Sequence, residues 1–540
     1  MSRILVIGGY GGFGGRLSRR LAAAGHQVIV AGRDADRATD FCRDLPRTEP
    51  ARVDRNGDVQ PDLITLAPEL VIDAAGPFQD SGYAVPEACI RVGVSYLDLA
   101  DSRTFVGRIE QLDQKARDAG VVVISGASTL PALSGAIIRK LADGLDRVDQ
   151  VLVSLSASTA STANKSVIEA ILTYAGKPVP VVRGGQPERA FGWQEMRREA
   201  FAVMGATRLQ RWVALADVPD LDIVPAALPG RPNVEFRAGT DVAMHMFGLW
   251  LGSWLVRREV LHSLRPFAAV FQSLQRATTF ARGDRSAMRV TLKGRRGWAG
   301  IERQWTLIAE NFDGPEIPTL AAALLADEFA AGRLQPGARD SSAALSFEQF
   351  EPLLAELDVR QEITERAIRP LYERTMGERF GALPDSVRAM HSIFGDGGAK
   401  GEGTVMTGGG LIGWLIRRCM GFPPAGTYSL RVRFAERAGR EVWTREFGKY
   451  RFRSQLALEK VRLTERFGPL AFIFDLPSDH RGLRMTLRGW RAFGVPLPRW
   501  LGPRIVAAEQ DHDGRFKFNV SVALPLIGPV VAYEGLLDRQ

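Results

Sequence analysis

Ile4-Leu5-Val6-Ile7-Gly8-Gly9-Tyr10-Gly11-Gly12-Phe13-Gly14-Gly15, continuing through Arg16 to Ala24, is the stretch that decides the fold of the N-terminal part. Four apolar residues in a row, without alternation, read as a parallel strand buried on both faces. The glycines leave that strand, and Leu17 and Leu21 then recur at helical spacing until Gly25 stops the helix. A second apolar run, Val28 to Ala31, completes a strand, glycine loop, helix, strand order. Both Gly8-x-x-Gly11-x-x-Gly14 and Gly9-x-Gly11-x-x-Gly14 can be read in the loop. One glycine permits the tight turn, one lets backbone approach a pyrophosphate, and one lets the helix pack on its strand. The helix start then offers free N–H groups and the positive end of its dipole to phosphate. A Rossmann dinucleotide-binding unit is expected here, with Gly8, Gly9, Gly11, Gly12, Phe13 and Gly14 as cofactor-binding candidates.

Working outward, the end of the second strand carries Gly32-Arg33-Asp34, with Arg37 one helical turn on. An acidic residue at this place would hold the adenosine ribose of NAD, whereas a guanidinium can clamp a 2′-phosphate in bidentate fashion. Arg33 and Arg37 therefore point to NADP, and the neighbouring Asp34 keeps NAD as the alternative. Further alternation follows: strand Leu70 to Ala74, helix Ser81 to Val92, strand Ser95 to Leu99, helix Thr104 to Ala119, strand Val121 to Ile124. The doubly wound pattern puts ligands at the carboxyl ends of its strands. Ala75, Gly76 and Pro77 occupy one such end and are cofactor candidates. Tyr96, Asp98 and Asp101 follow another and are the catalytic candidates for polar work near a nicotinamide.

The chain has 540 residues, 45% hydrophobic and 24% charged, which is globular composition for several domains. Its three cysteines, Cys42, Cys89 and Cys419, form no CxxC pair, and no histidine stands in an HxE or HExxH spacing. No metal site or disulfide framework is expected, and a reducing cytoplasm fits. With a strand read from Ile4 onward, no signal peptide is expected. A net charge of +9 is spread along the chain without a nucleic-acid motif, so no nucleic-acid partner is expected.

After Gln150, Val151 to Ser156 reads as a strand. The polar stretch Thr159 to Lys165 leads into a helix at Ser166 to Tyr174, with Ser161, Thr162 and Asn164 as capping residues. Val242 to Val256 is too short to span a bilayer. A buried helix is the first expectation, and a segment contacting a membrane surface the second. The apolar section through Phe280 suits a wall of a hydrophobic substrate pocket or a homodimer interface. Beyond Arg369 the pattern turns mainly β. Strands are expected at Thr427 to Ala435, Glu441 to Phe447, Phe452 to Lys460, Ala471 to Leu476, Leu483 to Trp490, Ile505 to Asp511 and Phe516 to Ala523. They suggest a sandwich or a cup-like sheet, with a filled core expected ahead of a ligand-holding cup.

The glycine loop, Ala31-Gly32-Arg33-Asp34, Asp73-Ala-Ala-Gly-Pro-Phe78, Tyr96-Leu-Asp-Leu-Ala-Asp101 and Ser125-Gly-Ala-Ser-Thr-Leu-Pro131 together resemble the saccharopine-dehydrogenase-like NAD(P)-binding oxidoreductases. Gly314-Pro-Glu-Ile-Pro-Thr319 and Gly332 to Ala338 extend the resemblance to about residue 365. Met390-His391, Gly421 to Gly426, Trp443 to Phe447, Glu465 to Pro469 and Gly494 to Pro498 are similar to a C-terminal domain family of unknown function. The resemblance implies a Rossmann domain over 1–125, an α+β substrate or dimerisation domain over 126–365, and a β-rich domain over 366–540, mainly antiparallel. It also implies hydride transfer between NADP(H) and a small molecule, for which the apolar middle section leaves an apolar substrate open. The alternatives are a trans-acting enoyl reductase for lipid or polyketide substrates and a non-catalytic NADP- or lipid-binding protein.

Overall fold

The computed structural model describes residues 1–159, 165–278 and 283–539. Arg3–Ile7 is an inner strand of a seven-stranded parallel sheet, and its apolar side chains are buried on both faces. Gln27–Gly32 and Thr48–Arg52 flank it on one side. Leu70–Asp73, Ser95–Asp98 and Val122–Ser125 flank it on the other, as in a doubly wound fold. The seventh strand comes from far along the chain: Gly337–Asp340 pairs with Val122–Ser125 in parallel. Ile317–Ala330 returns with it and packs on the first helix, Gly12–Ala23, where Arg16 meets Glu316 at 3.0 Å. Within the stretch expected as one helix over Thr104 to Ala119, the structure has Arg103–Gly107, a 3₁₀ turn at Ile109–Leu112 and Asp113–Asp118. Gly107 interrupts the periodicity, and exposed Arg108 follows it in a non-helical conformation.

A second seven-stranded sheet is mixed, with Arg147–Ala157 and Asn233–Thr240 parallel at its centre and antiparallel neighbours outside. Its last strand, Val359–Ile368, follows the return of the chain from the first sheet. Ser161, Thr162 and Asn164 lie outside the described residues, as does the side chain of Lys165. Ala243–Arg257 is the expected apolar helix, but burial holds for one face only. His245, Met246, Leu249, Ser253 and Val256 face inward, while Met244, Phe247, Leu251 and Leu255 are exposed. The apolar residues here run around more of the helix than one contact with a sheet can cover. No helix among the described residues is long and apolar enough to cross a membrane.

The C-terminal part is mainly antiparallel β, as expected, and its curved sheet closes on itself where a sandwich was the other expectation. Ten antiparallel strands close into a barrel. Gly397–Thr407 pairs with the final strand, Gly528–Arg539, and Leu470–Asp475 with Gly482–Ala492. Closure leaves no edge strand exposed in the ring. Leu371–Met376 and Asp385–His391 plug one end: Arg374 bonds Gly439 O, Arg379 bonds Leu476 O and Ser386 bonds Asp511. That same end is tied to the second sheet by Lys293 on Glu436 (2.8 Å) and Asn233 on Asp396 O (2.7 Å). The interior holds a cavity of about 200 Å³ within a core packed from Phe434, Trp443, Phe447 and Phe474.

Candidate nucleotide site

The strand Arg3–Ile7 ends in Gly8, whose φ of +77° is the left-handed conformation a side chain would strain. The N–H groups of Gly8 and Gly9 both donate to Ala31 O, pinning the loop to the second strand. Gly11 is the N-cap of the helix, and the backbone donors of Gly12, Phe13 and Gly14 lie in its first turn. A Cβ on Gly14 would stand 2.1 Å from Gly8 O, so the helix start and the loop touch through bare backbone. Gly11 and Gly12 are exposed. The loop therefore presents unpaired N–H groups at an accessible helix start, which suits an anionic pyrophosphate.

Beside the loop, Tyr10 folds across the end of the second strand. Its hydroxyl accepts from the Asp34 N–H at 3.0 Å, and the Arg37 guanidinium lies over its ring at 4.9 Å. Asp34 caps the helix Ala35–Cys42, its carboxylate accepting from the Arg37 N–H at 3.1 Å. Arg33 and Arg37 are exposed, and the Arg52 side chain reaches the Arg33 carbonyl at 3.3 Å. Three guanidinium-bearing residues thus gather beside Asp34, whose carboxylate is engaged as a helix cap.

Asp73 closes the neighbouring strand. Its carboxylate accepts from the Ala75 N–H at 3.0 Å and pairs with Arg55 at 2.5 Å. Ala75 backs directly onto Gly8, which explains the small residues at this turn. Ala75, Gly76 and Pro77 follow as a partly exposed loop, and Arg55 spans it to Ser81 and the face of Phe78.

The three catalytic candidates sit in different surroundings. Tyr96 is fully buried, its hydroxyl without a hydrogen-bond partner among the described residues. Burial, together with the nearby Asp98 and Asp73, drives its phenol well above the usual range. Asp98 is equally buried: one oxygen accepts from the N–H groups of Ala100 and Gly126 and from Ser125, and the other has no partner among the described residues. Burial pushes its carboxyl up to about 6. Asp101 alone of the three is exposed to solvent, although protein packed around it still raises its pKa; it accepts from Gln79 at 3.0 Å.

Sequence reasoning missed Tyr174, which stacks on Trp193 and feels the charges of Asp101 and Asp217 after the larger effect of its own burial. It missed Arg103 as well, which holds Asp217, Asp222 and the Pro180 carbonyl. Arg103 fastens the second unit to the strand end that carries Asp101. Among the described residues no group of histidine, cysteine or acidic side chains could hold a metal ion.

A parallel doubly wound sheet with a glycine loop after the inner strand Arg3–Ile7 defines a Rossmann nucleotide-binding fold. Residues 4–124 match the family described as "Saccharopine dehydrogenase NADP binding domain", and residues 383–537 match "Domain of unknown function (DUF4166)". The two matches lie in that order along the chain. Among solved structures it is similar to "Apo histidine-tagged saccharopine dehydrogenase (L-Glu forming)" from Saccharomyces cerevisiae. That match has 12% identity, covers 68% of this chain and 100% of that one, and has a TM-score of 0.45. The amine dehydrogenase of Mycobacterium smegmatis matches at 11% identity, over 63% and 95% of the two chains, with a TM-score of 0.34. GenD2 from gentamicin A biosynthesis, in complex with NAD, matches at 13%, over 68% and 96%, with 0.31. No curated protein matches the chain.

Proposed function

We propose that this protein is an oxidoreductase that transfers hydride between NADP(H) and a small molecule held where the nucleotide domain meets the second sheet. The observation that carries the reading is the loop itself: free N–H groups at an exposed helix start, with glycines where backbone must touch backbone. The residues fit the cofactor. Gly12, Phe13 and Gly14 would hold the pyrophosphate through their N–H groups. Arg33 and Arg37 would hold the 2′-phosphate, flanking Asp34, whose carboxylate is engaged as a helix cap. Ala75, Gly76 and Pro77 would flank the nicotinamide end. When bound, NADP(H) supplies the hydride chemistry, and the protein supplies orientation, exclusion of water and a proton.

For the proton we propose Asp101. It is the accessible member of the three candidates, its raised pKa keeps it protonated to higher pH than an ordinary carboxyl, and Gln79 orients it. Tyr96 and Asp98 then have a positioning role, Asp98 by pinning the Ser125-Gly126 turn against the end of its own strand. NADPH and NADH titrations followed by nicotinamide fluorescence test the reading. Tight NADPH binding that Gly11→Asp abolishes is expected; binding of neither nucleotide would overturn it.

A further inference from the structure

The two ends of the barrel differ in character. The end facing the second sheet is plugged by helices, and its turns and adjoining strand ends carry Glu436, Glu459, Asp475, Asp479, Asp511 and Asp513. The opposite end points away from the rest of the protein. Its connections are residues 408–425, 448–449, 468–469, 493–503 and 525–527, and they contain no aspartate or glutamate at all. Large apolar side chains stand exposed on them instead: Leu411, Trp414 and Leu415 on the helix Gly410–Met420, with Phe493, Trp500 and Leu526 on the turns. Arg418, Lys449, Arg499 and Arg504 are exposed around them.

The cavity continues from this rim. Ile416 and Met420, on the inner side of the same helix, line its upper wall together with Leu501 and Leu524. Deeper in, Arg445, Glu465 and Glu509 line it beside the buried Tyr372 and Tyr533. Arg445 lies 3.5 Å from Glu465 and Glu509 is hydrogen-bonded to His391 at 2.6 Å, so the floor is polar and its groups have partners within the protein. Apolar cavities of this size stay dry and take apolar guests. A paired polar floor under an apolar shaft suits one hydrocarbon chain whose inner end carries a neutral hydrogen-bonding group, such as an alcohol or a carbonyl.

We propose that the C-terminal barrel is a binding site for a single lipid chain of this kind, and that its open rim docks on an anionic bilayer to exchange it. Exposed aromatic and aliphatic groups ringed by basic ones are what an interfacial site requires. The apolar groups enter the headgroup boundary and the cations meet anionic lipid. The absence of any carboxylate from all five connections removes the repulsion that would oppose it. The proposal stands apart from the nucleotide site and does not depend on it.

The test uses the whole chain. Flotation with vesicles of phosphatidylcholine, alone or with phosphatidylglycerol, should show binding at least tenfold tighter to the anionic vesicles. The triple variant Leu411→Glu, Trp414→Glu, Leu526→Glu changes only exposed side chains and should lose that binding with its melting temperature kept. For the cavity, the neutral dye 1-N-phenylnaphthylamine should bind and be displaced by a long-chain alcohol, and Ala507→Trp should block it. Should Ala507→Trp unfold, Ile416→Trp at the half-buried upper wall serves instead. Lack of vesicle binding, equal binding to neutral vesicles, or binding kept by the triple variant overturns the docking. Absence of dye binding, or dye binding that the folded tryptophan variant leaves unchanged, overturns the cavity site.

Discussion

Gly14→Ala is the sharpest probe of the nucleotide loop, because the structure fixes what one methyl group must do. Its Cβ would stand 2.1 Å from Gly8 O and 2.8 Å from the Gly8 carbonyl carbon, both backbone atoms that no rotamer change can move. A carbon–oxygen contact needs more than an ångström of additional room, so the loop or the helix start must shift by about that much. In a packed core such overfilling costs ~1–3 kcal/mol. Gly11 and Gly12 are exposed, so part of the strain should relax into solvent and the fold should survive. The N–H groups of Gly12, Phe13 and Gly14 then lose their common aim. Hydrogen bonds to charged groups are worth ~1.5–3 kcal/mol each, and losing two would weaken NADPH binding about 100-fold or more. Fluorescence titration measures the affinity and thermal melting reports the fold. A folded Gly14→Ala protein that binds NADPH within threefold of the parent would refute the placement of phosphate at this helix start.

Replacing Arg33 and Arg37 together by alanine should weaken NADPH about tenfold and leave NADH within a factor of three, since exposed charge pairs contribute ~1 kcal/mol or less each; parallel titrations decide it. Rising salt should weaken NADPH more than NADH for the same reason. Asp101→Asn should lower kcat by ~10²–10⁴ with NADPH affinity kept, as for loss of a general acid; once a substrate is in hand, unchanged kcat would remove Asp101 from the proton's path. Glu441, buried in the barrel with one oxygen on the Trp443 indole, has its carboxyl pushed up to about 7 by burial. The folded barrel then holds a proton that the unfolded chain has already released, so stability should fall as pH rises from about 4.5 to 7. At ~1.4 kcal/mol per pKa unit the loss is about 3 kcal/mol. Glu441→Gln should flatten that slope in melts at pH 5 and pH 8; a slope unchanged by the substitution would show that Glu441 is ionised in the fold.

The nucleotide loop was legible in the sequence because its determinants are local: apolar strand, glycines and amphipathic helix lie within some twenty consecutive residues. The separation of Asp101 from Tyr96 and Asp98 was not. Tyr96 and Asp98 lie within the strand Ser95–Asp98 and Asp101 beyond its end, and the packing around Ala100, Gly126 and the underlying core decides which is covered. Tyr174 and Arg103 escaped for a related reason, since their partners are distant in sequence and neither stands in a motif. In the barrel the missed strands include Gly397–Thr407, whose glycines break the alternation that marks a strand. Gly401 has no side chain because a Cβ there would meet Leu536 O at 1.9 Å, a demand of the paired strand that sequence alone does not display. Without that strand and its partner, Gly528–Arg539, the sheet could not be read as closed.

The late strand Gly337–Asp340 has a kinematic consequence. Because it completes the first sheet, the chain passes between the nucleotide domain and the second sheet three times: near residues 143–146, near 310–316 and near 356–358. A lobe hung on one linker can swing wide, whereas one held at three separate crossings has little freedom to rotate as a body. Arg103 adds a fourth restraint beside Asp101. A ligand reaching that carboxylate would enter by displacement of side chains and short loops rather than by a gaping of the two lobes, and its release would follow the same narrow route.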